Sequence, residues 1–157
     1  MDKNYSLTLP SDTQIVMERN FDAPRELVFR AYTDPELIPQ WWGLRAATTT
    51  VDQLDLRVGG KWRWVQTMPD GTEFGFRGEY RVVDPPTRLV STFEFEGMPG
   101  HIAEDAAVFT DLDGKTKLTV TSTFASKEDR DGMIASGMEA GAIETWDRLS
   151  ELLATLV

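Results

Sequence analysis

Between residues 48 and 124, apolar and polar residues alternate in short runs, and each run ends at a turn signal. Residues 61–68 set Trp62 and Trp64 on one face and Lys61, Arg63 and Val65 on the other. Residues 73–83 set Phe74, Phe76, Gly78, Tyr80 and Val82 against Glu73, Arg77, Glu79 and Arg81. Residues 89–96 repeat the pattern with Leu89, Ser91, Phe93 and Phe95 inward, and residues 117–124 with Leu118, Val120, Ser122 and Phe124. Residues 48–56 and 106–112 read as two further strands. Gly59-Gly60, Pro69-Asp70-Gly71, Asp84-Pro85-Pro86 and Asp113-Gly114 favour tight reversals between runs. Side chains alternate across a strand. The chain is therefore committed to an antiparallel sheet with one wet face and one dry face, and the dry face needs a cover.

Only the C-terminal stretch is long enough to supply that cover. Residues 127–156 predict one helix with an apolar stripe of Ile134, Met138, Ala142, Thr145, Leu149, Leu152 or Leu153, and Leu156. Ser126, followed by Glu128 and Asp129, suits its first turn. Before the sheet, residues 13–21 read as a strand with Ile15 and Met17 on one parity. Pro24 opens a short helix over 24–33 that carries Leu27, Val28, Ala31 and Tyr32. Asp34 as cap and Pro35 at the first position predict a second short helix, with Leu37 and Ile38, ending near Trp41-Trp42-Gly43. Residues 1–11 read as a lead-in tail. The expected fold class is α+β: a curved antiparallel sheet wrapped around a long C-terminal helix, with two short helices after the first strand. No repeat or linker divides the chain, so residues 1–157 are expected to form a single domain.

Composition narrows the chemistry. The chain has no Cys and one His, which excludes disulfides, thiolate nucleophiles and Cys- or His-rich metal sites. The net charge of −10 opposes nucleic acid and anionic membrane as partners. No apolar run is long enough for a membrane helix, and no signal-peptide pattern is legible, so a cytoplasmic location is expected.

Several phrases together resemble the Activator of Hsp90 ATPase homologue 1-like family, within the START-like (SRPBCC, Bet v 1-like) group. They are Arg19-Asn20-Phe21-Asp22-Ala23-Pro24 with Val28-Phe29, then Thr33-Asp34-Pro35 and Trp41-Trp42-Gly43. Asp55-Leu56-Arg57-Val58-Gly59-Gly60, Asp70-Gly71, Phe76-Arg77-Gly78-Glu79-Tyr80 and Pro85-Pro86-Thr87-Arg88-Leu89 follow in order. Gly114-Lys115-Thr116-Lys117-Leu118-Thr119, Gly137-Met138-Glu139-Ala140-Gly141 and Trp146-Asp147-Arg148-Leu149 complete them, so the resemblance spans 12–156. It implies a helix-grip fold with a cavity between sheet and long helix. It does not imply one activity, because fold and function are separable. Many relatives carry Gly-Trp in the last helix; here Ala142 follows Gly141, an exchange expected to enlarge the space beside the helix.

The expected ligand cavity is bordered by Trp42, Trp62, Trp64, Phe76, Tyr80, Phe93, Met138 and Gly141, with Ser91 and Ser122 as polar anchors beside Tyr80 and Gln66. Such cavities are mostly apolar with a few convergent polar groups. Of the Trp41-Trp42 pair, one ring is expected to seal the core and the other to lie near the cavity mouth. Gly137 and Gly141 are read as helix positions that make room for close strand contact, for a ligand or for a kink. Gly59-Gly60 precedes no helix and is followed by no Lys-Ser or Lys-Thr, so it is not a phosphate loop. His101 has no legible partner residues for a triad, and Glu104 and Asp105 face opposite sides of a strand, so no catalytic residue is assigned. Asp52, Asp55 and Glu79 offer at most a weak surface cation site, and no metal or cofactor is called for. Arg57 is expected in a structural ion pair.

The leading functional expectation is non-catalytic binding of a small hydrophobic or aromatic molecule in that cavity. The alternatives are a chaperone-linked or other protein-interaction regulator, and a cyclase- or hydrolase-like enzyme using the same cavity. A homodimer is expected only because symmetric pairs are the commonest assemblies.

Overall fold

The computed structural model describes residues 5–157. In chain order the elements are β1 (Tyr5–Thr8), β2 (Gln14–Phe21), α1 (Arg25–Thr33), α2 (Ile38–Trp41), β3 (Thr48–Leu54), β4 (Lys61–Thr67), β5 (Glu73–Asp84), β6 (Arg88–Phe95), β7 (Ile102–Leu112), β8 (Lys115–Thr123), α3 (Lys127–Ala135) and α4 (Met138–Leu156). The eight strands form one antiparallel sheet in the order β1-β2-β8-β7-β6-β5-β4-β3. The sheet is curved, and α4 lies against its concave face, as in the helix-grip fold.

Sequence explains most of this locally. At the β7–β8 hairpin, Asp113 and Gly114 take φ of 54° and 88°, the left-handed pair that a two-residue reversal requires. Ser126 caps α3 by accepting from the Asp129 backbone N–H at 3.1 Å. The inward residues of β2 (Ile15, Met17, Phe21), β4 (Trp62, Trp64), β7 (Ala107, Phe109) and β8 (Leu118) form the core with Trp146, Leu149 and Leu153 of α4. The Trp146 ring meets Phe21 edge-on at 5.9 Å, and Arg19 reaches from β2 to Asp147 at 2.7 Å. These contacts seat α4 on the sheet.

Five expectations are corrected. First, part of the lead-in is ordered: β1 pairs with β2 from Tyr5↔Arg19 to Thr8↔Val16. The two short helices thus follow the second strand, and residues 1–4 of the expected tail lie outside the described residues. Second, the C-terminal helix is not continuous over 127–156. Gly137 stands at its break with φ 84° and caps α4. Its absent Cβ therefore serves a left-handed turn rather than helix packing. Third, the stripe holds through Met138, Ala142, Leu149, Leu152 and Leu153 but not at its ends: Ile134 and Leu156 are exposed, and Trp146 takes a core position the 127–156 stripe omitted. Fourth, the register shifts between Tyr80 and Val82 in β5, so Val83 rather than Val82 packs against the core. A bulge inverts side-chain parity beyond it. The second short helix also begins later than its Pro35 signal suggests: Asp34 Oδ1 accepts the Glu36 N–H in a turn, and regular helix starts at Ile38.

Candidate functional site

A cavity of about 610 Å³ lies between the concave face of the sheet and α4. That volume falls inside the range typical of small-molecule sites. Its walls are built from strand parity. Trp62 and Trp64 of β4 stand two residues apart and so share a face, with ring centroids 4.8 Å apart. Phe76 of β5 and Phe93 of β6 continue the aromatic surface at 5.7 Å. Trp42 closes one side at 5.1 Å from Phe76. Met138 and Gly141 of α4 line the opposite wall with Ala142. An ideal Cβ on Gly141 would touch only Leu44 Cδ2, at 3.9 Å, so this glycine borders open space.

The Trp pair at the end of α2 divides its work. Trp41 is buried and donates its indole N–H to Ala31 O at 2.9 Å. Trp42 is half-buried and faces the cavity. The loop behind it is fixed to α4. Arg148 donates to the carbonyls of Gly43 at 2.9 Å, Leu44 at 3.3 Å and Gln40 at 3.2 Å. These acceptors include carbonyls left free at the end of α2. Burial holds the Arg148 pKa below its ordinary value. Arg45 adds an ion pair to Glu151, and its backbone N–H donates to Glu144 Oε2 at 2.8 Å. Gly43 has φ 94°, and a Cβ there would fall 1.6 Å from Gln66 Nε2. Gln66 lines the cavity, but its amide donates to Thr49 Oγ1 at 3.1 Å. It is better described as a support for this loop than as a free anchor.

The cavity floor carries one polar row. Register pairs Tyr80 with Ser91, Ser91 with Asp105, and Asp105 with Ser122, so four polar side chains cross four adjacent strands side by side. All four line the cavity. Asp105 is half-buried and borders that space. Burial pushes its pKa up to about 6, the Ser122 hydroxyl beside it pulls the other way, and the charge of Glu104 adds a little. Tyr32 of α1 stands above the row. Its hydroxyl accepts the Trp146 indole N–H at 3.0 Å. Burial raises its pKa well above the ordinary phenol range, and the Asp105 charge adds to the rise. Burial likewise raises Tyr80.

All ten residues expected at the cavity line it: Trp42, Trp62, Trp64, Phe76 and Tyr80, then Ser91, Phe93, Ser122, Met138 and Gly141. Asp105, Tyr32 and Trp146 line it as well, and the sequence reading did not place them there. The signal for Asp105 was present. Ala107 and Phe109 are inward, and running the same parity back through β7 passes Asp105 and Ala103. The strand was expected to start at 106, which hid it. Glu104 and Asp105 do face opposite sides, and Glu104 is exposed. His101 sits outside the cavity, with Nδ1 2.8 Å from Asp129 Oδ1. Asp52, Asp55 and Glu79 are each taken by an arginine: Arg63 at 3.3 Å, Arg57 at 2.9 Å and Arg81 at 3.0 Å. Among the described residues, no three His, Cys, Asp or Glu side chains group as a metal site would need. No helix among them is long and apolar enough to cross a membrane.

The model of the Activator of Hsp90 ATPase homolog 1-like protein family matches residues 22–154. Among solved structures, a Rhodobacter sphaeroides protein is 27% identical, with TM-score 0.91 over 98% of this chain and 99% of that one. Protein Ms6760 from Mycobacterium smegmatis is 27% identical, with TM-score 0.84 over 94% and 95%. The AHSA1 protein from Silicibacter pomeroyi, 21% identical, shares the fold with TM-score 0.74 over 92% and 99%. No curated protein sequence matches the chain.

Proposed function

The chain belongs to the Activator of Hsp90 ATPase homolog 1-like family, and from that premise we propose that it binds a small hydrophobic or aromatic molecule without transforming it. The observation that carries this reading is the 610 Å³ space, walled by four aromatic rings on β4, β5 and β6 and floored by a single polar row. Apolar burial, at roughly 25 cal/mol per Å², supplies the affinity, and the row orients the ligand. A catalytic reading would need, beside Asp105, a second group able to exchange protons near neutral pH. Its cross-strand neighbours are the Ser91 and Ser122 hydroxyls, and among the described residues the lining holds no histidine, lysine or second carboxylate.

The test is uptake of an apolar fluorophore by wild type and by Gly141→Leu. The leucine side chain projects from α4 toward Leu44 and the cavity, so affinity is expected to fall at least about tenfold, or 1.4 kcal/mol. Thermal unfolding checks that both proteins are folded. Equal binding by the two would place the fluorophore elsewhere and defeat the reading. Native mass spectrometry of protein from its own host would then identify any molecule that copurifies.

A further inference from the structure

We propose that the ligand of this cavity carries a protonated nitrogen, which pairs with the Asp105 carboxylate while its apolar body lies against the Trp62 and Trp64 rings. The inference rests on the binding reading above and specifies its ligand class. Three observations converge on it. Among the described residues, the lining contains one acidic side chain, Asp105, and no lysine, arginine or histidine, so the carboxylate has no counterion among them. The carboxylate is flanked in register by two hydroxyl side chains, Ser91 and Ser122, which can steady it but cannot neutralise it. The surrounding walls are tryptophan and phenylalanine, whose faces attract cations.

The energetic direction is set by what each ligand type does to the buried charge. An unpaired carboxylate in an apolar enclosure is costly, and a cation removes most of that cost. A neutral hydrocarbon leaves the charge unpaired and strips water from it. A carboxylate ligand adds like charge to the same space. The other titratable groups facing the site are Tyr32 from α1 and Tyr80 from β5, phenols that are neutral at ordinary pH and that burial raises further. Glu104, next on the strand, points to the outer face. The chain's net charge of −10 also favours the approach of a cation over that of an anion.

Three naphthalene probes of nearly equal shape separate these cases: naphthylmethylamine, ethylnaphthalene and naphthoate, titrated by calorimetry at neutral pH. Wild type is expected to hold the amine at least about tenfold more tightly than the hydrocarbon, with naphthoate weakest. Asp105→Asn is expected to bring amine and hydrocarbon within about threefold of each other while hydrocarbon affinity holds or rises. Asp105→Ser serves as a second variant if the asparagine protein does not fold. Equal affinity for amine and hydrocarbon in wild type, or an amine preference that survives both substitutions, overturns the proposal and leaves the cavity reading intact. Failure of all three probes to bind folded wild type overturns both.

Discussion

Removing the Asp105 charge should change the pH dependence of stability in a predictable way. In the folded protein its pKa is about 6, against 3.8 in an exposed chain, a gap of about two units. Each unit corresponds to about 1.36 kcal/mol, so the full effect is about 3 kcal/mol. Below the lower value both folded and unfolded chains hold the proton, and the group contributes no pH dependence. Between the two values the folded protein holds a proton that the unfolded chain has released, so stability falls as pH rises. Above about 6 the penalty is complete. Asp105→Asn cannot ionise and escapes this loss. Its stability relative to wild type should therefore climb by up to about 3 kcal/mol from acid to neutral pH, and then level off. For a chain of this length that is a relative gain in Tm of roughly 6–12 °C. Water reaching the carboxylate through the cavity makes these upper values. The assay is urea unfolding of both proteins at matched pH from about 4 to about 8. All other titrating groups are common to both, so the difference isolates this one. A stability difference that stays flat across the range, or that narrows as pH rises, would refute the claim that this carboxylate is desolvated and without a counterion.

Three further outcomes follow from named contacts. Gly137→Ala forces a Cβ into φ 84° and should cost roughly 1–2 kcal/mol, whereas Gly132→Ala, within α3 and facing open space, should gain up to about 1 kcal/mol; chemical denaturation reads both signs. Arg148→Met keeps much of the aliphatic packing but removes the donors to Gly43, Leu44 and Gln40, so the α2–β3 loop should show faster amide hydrogen exchange than in wild type while the sheet core keeps its rate, and unchanged exchange in the loop would count against its role as a tether. Phe109→Ala removes a fully buried ring that meets Phe29 at 5.2 Å and Tyr32 at 5.5 Å, and should cost about 3–5 kcal/mol in equilibrium unfolding.

What the sequence determined by itself was everything governed by short-range periodicity. Alternation in residues 61–95 committed Trp62, Trp64, Phe76, Tyr80 and Phe93 to one face, because a strand has no other way to arrange its side chains. Turn pairs such as Asp113-Gly114 set where the chain reverses, because few residues accept positive φ. What only the tertiary structure decided depends on partners distant in the chain. Residues 5–8 alternate Tyr5 and Leu7 with Ser6 and Thr8, a signal too short to decide alone; the free edge of β2 makes them a strand. Gly137 reads as a helix position or as a kink, and the left-handed φ of 84° that it takes between α3 and α4 makes it a break. The bulge after Tyr80 is invisible in composition, yet it reverses parity for Val82 and Val83. Asp105 shows the limit most clearly. Taken alone it is a surface-type residue beside another acid, and only the lateral register of β6, β7 and β8 brings Ser91 and Ser122 to either side of it beneath the helix. Lateral neighbours in a sheet are set by hydrogen bonding between strands far apart in sequence, so local pattern carries no record of them.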